Sequence, residues 1–330
     1  MAFASSTKTE SRKNFLKPFC LLNLYLFYHQ HPLLPKTLTM LLKKLIFTLP
    51  LCLLLAGCSG QAQNQEAPTR LIVRADDIGF AHAVNHACIE VFTDGIARSV
   101  EVMVPGPWFP EAARLLRQHP EYDAGIHLVM TSEWENLKWR PLTAAKSISD
   151  ENGYFYPMVW PNDNYPPEET FRESGWQLQE VEQELRAQIE LAKKEIPHLS
   201  HVSTHMGFQS ADPEIEALVW ELAREYGLHI KPEDYGVQRF RPFDGPRDTR
   251  EQHLEQFVTG LENLGPGTWL FVEHPGYDVA ELQQVATKGN PGIGQKRQWV
   301  TDLFTHPRVK EVIARRDIEL ISYKDLKEAR

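Results

Sequence analysis

The chain has 330 residues, 42% of them hydrophobic and 24% charged, with a formal charge of −9; this balance excludes a disordered tail and a polytopic membrane protein. The charge is uneven: residues 1–57 hold seven basic side chains and one acid, so residues 58–330 carry 28 basic and 43 acidic groups, a net −15. A body that acidic is repelled by phosphate backbones, which disfavours nucleic acid as a partner and suits a neutral or cationic ligand.

Residues 1–39 show no targeting logic and read as an upstream extension before a natural start at Met40. From there Lys43 and Lys44, an apolar run over 45–54 too short to span a bilayer, and small residues make a secretory signal peptide of 40–57. Its end, Leu55, Ala56, Gly57 and Cys58, resembles the lipobox of bacterial lipoproteins, in which the cysteine is lipidated and becomes the first mature residue. The expected location is the bacterial cell envelope, with a periplasmic or outer-membrane lipoprotein tied to the membrane through Cys58 and a polar linker over 58–69. Of the four cysteines only Cys88 stays in the body, where it reads as a small core residue; no disulfide framework and no cysteine-based zinc site is available.

Residues 70–330 read as one domain. Strand candidates at 71–74, 99–104, 124–129, 199–202, 228–230, 268–272 and 318–321 alternate with helical patterns at 83–92, 110–117, 180–194, 214–225, 250–264 and 298–304. The alternation predicts parallel βα units of an α/β fold. Seven strands without a glycine-rich dinucleotide fingerprint favour a closed or nearly closed barrel over an open sheet.

Reactive side chains fall at the carboxyl ends of these strands. The first runs into Asp76 and Asp77, the third holds His127, the fourth leads to His201 and His205, and the sixth ends in Glu273 and His274. That is the face on which α/β barrels carry their active sites. Residues 131–170 interrupt the rhythm as a loop insertion directly after His127, with Trp134, Trp139, Tyr154, Tyr156, Trp160 and Tyr165. So long an irregular stretch reads either as a surface lobe with its own small core or as an aromatic wall for sugar rings, with Trp160 and Tyr156 as the candidate substrate contacts.

Adjacent aspartates point to opposite faces of an extended strand, but at a strand terminus the backbone turns and both can approach one ion. One carboxylate with two imidazoles and open positions for water is the composition of a catalytic metal site.

The stretches 73–80 (VRADDIGF), 97–104 (ARSVEVMV), 125–128 (GIHL), 201–207 (HVSTHMG) and 274–277 (HPGY), with Val84 and Asn85, resemble the YdjC-like family of carbohydrate deacetylases, over about residues 71–326. The resemblance implies a distorted, seven-stranded TIM-like (β/α) barrel of the glycoside hydrolase and deacetylase type. It also implies removal of acetyl groups from N-acetylated oligosaccharides with a divalent metal, Mg²⁺ in the family, with Zn²⁺ as the other choice. By the same resemblance the metal ligands are Asp77, His127 and His205, the general base is Asp76, and His274 is an acid or substrate contact. His201 is then no ligand. Family members often read His-Leu-Asp-Ser-His where this chain has Ser203 in place of the Asp, and Met206, Gly207 and Phe208 stand where further histidines follow elsewhere. Two other functions fit the residues: a glycosidase using Asp76 and Glu273, and a non-catalytic surface lipoprotein that grips glycans with the aromatic segment. Oligomeric state is open, a homodimer included.

If Cys58 carries the anchor, the parent chain partitions into the detergent phase of a detergent extraction, and Cys58→Ala gives unprocessed or unanchored protein. A parent that stays in the aqueous phase contradicts the lipobox reading.

Overall fold

A computed structural model of the chain describes residues 67–290 and 292–328. The signal peptide, Cys58 and most of the linker lie outside the described residues. Among those residues no helix is long and apolar enough to cross a membrane.

The sheet is built around β1 (Thr69–Ile78), a ten-residue strand buried on both faces from Leu71 onward, as its near-continuous apolar run requires. β1 pairs in parallel with β6 (Gly267–Glu273) along 69–75 and with β2 (Ser99–Val102) from Arg74 onward, while β7 (Glu319–Leu320) takes up Arg70 and Leu71. β3 (Ala124–Leu128) and β4 (His201–Thr204) extend one side and β5 (Gln238–Arg239) the other, in the order β4-β3-β2-β1-β6-β5. Every pairing is parallel. The result is the expected curled, TIM-like seven-stranded barrel, with β4 and β5 as the ends of the path and a seam between them.

The helices expected from periodicity form close to their expected bounds: α1 (His82–Thr93), α2 (Phe109–Gln118), α3 (Leu178–Glu195), α4 (Pro213–Glu225), α5 (Arg250–Glu262) and α7 (Gly294–Thr305). The short α6 (Ala280–Gln284), α8 (Pro307–Arg315) and α9 (Tyr323–Glu328) are additional. Their apolar faces build a large core cluster, and a smaller one gathers Ile72, Ile230, Leu270, Ile321, Tyr323 and Leu326.

The apolar run at 228–230 is not a strand. Leu228 and Ile230 are buried, but Gly227 turns the chain at the end of α4 and Pro232 opens a 3₁₀ turn (Pro232–Tyr235), so the run is cut off before it can pair. The fifth strand falls beyond that turn, at two exposed polar residues opposite Trp269 and Leu270.

The insertion between β3 and α3 is irregular, with isolated bridges at Ser149–Phe155 and Met158–Thr170. Most of its large aromatics are core: Trp134, Trp139, Phe155 and Phe171 pack into the main cluster and Tyr165 is buried. Its anchor is a buried carboxylate on α3. Glu184 accepts hydrogen bonds from the backbone N–H of Leu142 and Thr143, the Thr143 hydroxyl and the Gln188 amide, at 2.7–3.1 Å. Gln188 in turn pairs both ways with the Val129 backbone.

Candidate active site

Asp76 and Asp77 occupy the end of β1, and the backbone there resolves their alternation. Asp77 sits at φ +78°, and the β1–β2 register shifts between Ala75 and Ile78. Asp is among the few residues that tolerate this left-handed region. Both carboxylates consequently approach the same imidazole nitrogen: His127 Nε2 lies 3.9 Å from Asp76 Oδ2 and 3.6 Å from Asp77 Oδ1. Asp76 accepts a bidentate pair of hydrogen bonds from Arg74 at 2.7 and 2.8 Å. It does not cap α1, whose N-cap residue is Ala81 and which has no side-chain cap. Asn85, whose side chain accepts the Gly79 N–H at 2.7 Å, holds the turn after the two aspartates.

Asp77 is divided between two surroundings. Its Oδ2 accepts from the Arg297 guanidinium at 2.6 Å, while its Oδ1 is buried without a hydrogen-bond partner. Burial would raise this carboxyl, but Arg297, with His274 and His205, holds it well below the usual carboxylate range. The free Oδ1 faces His127 Nε2 and, at 3.5 Å, His205 Nδ1.

Each imidazole is fixed from behind. His205 Nε2 lies 3.0 Å from Glu133 in the insertion, which leaves Nδ1 as the ring nitrogen turned to Asp77. Burial alone would lower His205, but Glu133 and Asp77 lift it to about 10. His127 goes the other way, pushed down to about 4 chiefly by burial. Its Nδ1 is 2.7 Å from Ser203 Oγ, and that hydroxyl donates to Glu101. With its one proton committed there, Ser203 accepts from His127 Nδ1–H, and Nε2 is left as a lone pair facing Asp77.

Glu101 therefore stands behind Ser203. Its other oxygen is 2.6 Å from His201 Nε2, and although burial would raise it, His201 and Arg74 hold it at about 2. His201 is fully buried and stacked on Tyr323 with ring centres 3.7 Å apart, so it orients Glu101 and does not reach the Asp77 cluster as a ligand. Sheet register explains the glycine two residues before His127. Glu101, Gly125 and His201 form one row across β2, β3 and β4, and a Cβ at Gly125 would lie 2.5 Å from both Glu101 Oε2 and His201 Nε2.

A cavity of about 290 Å³ opens beside the cluster along the β4–β5 seam, lined by Asp76, His127, His274, Arg74, Trp220 and Arg239 among others. His274 is raised above its ordinary value: burial lowers it, but Asp77 and Glu273 more than compensate.

The YdjC-like protein family matches residues 70–315. The chain belongs to this family. It is 30% identical over 275 residues to a carbohydrate deacetylase of Geobacillus stearothermophilus, covering 78% of this chain and 98% of that one. It is 25% identical over 265 residues to a carbohydrate deacetylase of Vibrio cholerae, covering 78% and 96%. A crystal structure from Enterococcus faecalis V583, described as a candidate cellobiose-phosphate cleavage protein, aligns with a TM-score of 0.62 at 25% identity, over 79% of this chain and 99% of that one.

In this YdjC-like chain the structure brings Asp76, Asp77, His127, His205 and His274 to one end of the barrel. Tyr156 lies apart from them, on a second cavity of about 500 Å³ that Glu133 also lines. Trp160 is exposed and lines neither of these cavities. Glu273 pairs in register with Ala75, whereas Val272 pairs with Arg74 on the cavity face, so Glu273 does not share a cavity with Asp76 as the glycosidase reading needs. Glu133, Glu101, Arg74 and Arg297 escaped the sequence reading. Arg74 and Glu101 stand inside the 73–80 and 97–104 stretches without a role there, and Glu133 and Arg297 gain theirs only through distances across the fold.

Gly125→Ala tests the row across the sheet. The new methyl must displace Glu101 or His201, and the expected cost is about 1–3 kcal/mol in urea denaturation. Unchanged stability would show that the contact across β3 is not tight.

Proposed function

We propose that the chain is a metal-dependent N-deacetylase of N-acetylated sugars or oligosaccharides. The carbohydrate deacetylases that it matches over nearly their whole length support the reaction and the substrate class. Metal dependence is carried by one observation: Asp77 Oδ1 is buried, unpaired and aimed between two imidazole nitrogens. The donor set fits a divalent ion, because the three ligand atoms lie within 4.8 Å of one another and each imidazole is held from behind by a carboxylate, through Ser203 in one case and directly in the other. The family resemblance points to Mg²⁺, whereas two imidazoles beside one carboxylate favour a borderline ion such as Zn²⁺.

When bound, such an ion polarises the acetamide carbonyl and lowers the pKa of water from about 15.7 towards neutrality. Asp76 accepts the proton of the attacking water: its two oxygens take hydrogen bonds from Arg74 yet keep further lone pairs on the cavity side. His274, on the same cavity, carries the proton that the departing sugar amine needs. Arg297 keeps Asp77 ionised and pins its orientation. Tyr156, on the second cavity that Glu133 also lines, is the candidate contact for the sugar beyond the reacting acetyl group, a role for which exposed Trp160, lining neither cavity, has no geometric support. The lipobox supports a cell-envelope location with a lipid anchor at Cys58, where envelope or environmental glycans are within reach.

Asp76→Asn should keep bound metal and lose about 10²–10⁴ of turnover, roughly 3–5.5 kcal/mol at about 1.36 kcal/mol per decade. Asp77→Asn should lose both. The check is elemental analysis beside acetate-release kinetics on N-acetylated oligosaccharides, with and without chelator. Full activity in Asp76→Asn would remove it as the base, and acetate release indifferent to chelator and to Asp77→Asn would remove the metal.

A further inference from the structure

A second group of nitrogen and oxygen donors converges at the start of α1. His82 and His86 are one turn apart, so their rings share a face of the helix, with centres 4.5 Å apart. Glu111, in the first turn of α2, reaches them: its Oε1 lies 3.0 Å from His82 Nδ1 and 3.6 Å from His86 Nε2. One ligand atom from each residue lies within 4.8 Å of the other two.

The carboxylate is held in place from the protein side. Asn85, fully buried, takes the Gly79 N–H on its oxygen and donates from its amide to the Trp108 carbonyl at 3.1 Å and to Glu111 Oε2 at 3.0 Å. Burial would raise Glu111, but Asn85 and His82 lower it, so it is an anion. The imidazoles are open to water, with 52% and 42% of their side-chain surface exposed. The neighbouring cation is Arg114, 3.9 Å from Oε1 on a half-exposed stem, and the Trp108 ring centre is 5.1 Å from that of His82.

Zinc-class ions take nitrogen and carboxylate ligands at about 2.0–2.2 Å, which sets donors about 3.3 Å apart on the edge of a tetrahedron. The separations of 3.0 and 3.6 Å bracket that edge. We propose that His82, His86 and Glu111 form a second metal site, distinct from the Asp77 cluster, that binds a borderline divalent ion such as Zn²⁺. Two imidazoles and one carboxylate select this class over Mg²⁺, which keeps to oxygen ligands. Water completes the coordination on the open side. The ion displaces the proton shared between His82 and Glu111 and ties α1 to α2.

The test is equilibrium dialysis of the full chain against zinc chloride, with His82→Ala/His86→Ala, with Asp77→Asn and with the three changes combined. The double histidine variant should lose about one zinc equivalent and keep its acetate release and circular dichroism, while Asp77→Asn keeps that equivalent. His86→Gln, the milder change, should weaken the same equivalent, and magnesium chloride should not compete for it. Quenching of tryptophan fluorescence by Cu²⁺ through Trp108 gives a second readout, lost in the double variant. Equal zinc content and equal quenching in parent and double variant would overturn the inference. Loss of zinc in Asp77→Asn alone would overturn it while leaving the active-site reading intact; loss in the double variant alone would uphold it and remove the metal from the Asp77 cluster.

Discussion

Asp77 holds a buried charge whose two oxygens live in different surroundings, and much of the site is arranged around that asymmetry. Arg297 neutralises one oxygen at 2.6 Å; the other has no hydrogen-bond donor, only His127 and His205 at 3.6 and 3.5 Å. A buried carboxylate oxygen left unpaired is costly, of the order of 1–3 kcal/mol. The left-handed backbone at Asp77 adds strain at the same residue. Cost and strain concentrated on one side chain at a strand end are what a site poised for a cation displays, and in the proposed function the cation supplies the missing partner.

Behind the two imidazoles the chain uses the sheet as a lattice. Glu101, Gly125 and His201 stand in one row and His127 pairs with Ser203 in the next, so a hydroxyl and a carboxylate from different strands align on one ring nitrogen. Ser203 relays His127 Nδ1 to Glu101 on β2, so the carboxylate stands one hydroxyl away from the ring and the tautomer that leaves Nε2 free is kept. His205 receives its carboxylate directly, from Glu133 in the insertion. The irregular segment thus belongs to the site through Glu133, while most of its tryptophans belong to the core.

The sequence carried the reacting groups because strand ends are legible: an apolar run that stops at Asp76 and Asp77, or at His127, shows where chemistry meets solvent. It did not carry Glu133 or Arg297, because nothing local distinguishes them from other charged residues in a loop or on a helix. Their meaning is a distance to His205 and to Asp77. The 228–230 run failed as a strand for a related reason: apolar residues report burial, and Pro232, not hydropathy, decides that Leu228 and Ile230 are buried outside the ladder. The aromatic content of 131–170 fits either a wall or a core. Trp134 and Trp139 answer core, Tyr156 borders a cavity, and Trp160 stands exposed.

Anomalous diffraction from zinc-loaded crystals of the His82→Ala/His86→Ala chain is the most direct measurement, since among the described residues it leaves one candidate position for the ion. The account predicts a single peak bounded by Asp77 Oδ1, His127 Nε2 and His205 Nδ1, each at about 2.0–2.2 Å, with Arg297 still on Asp77 Oδ2. A crystal without density there, or an ion held by Asp76 or by His127 through Nδ1, would contradict it.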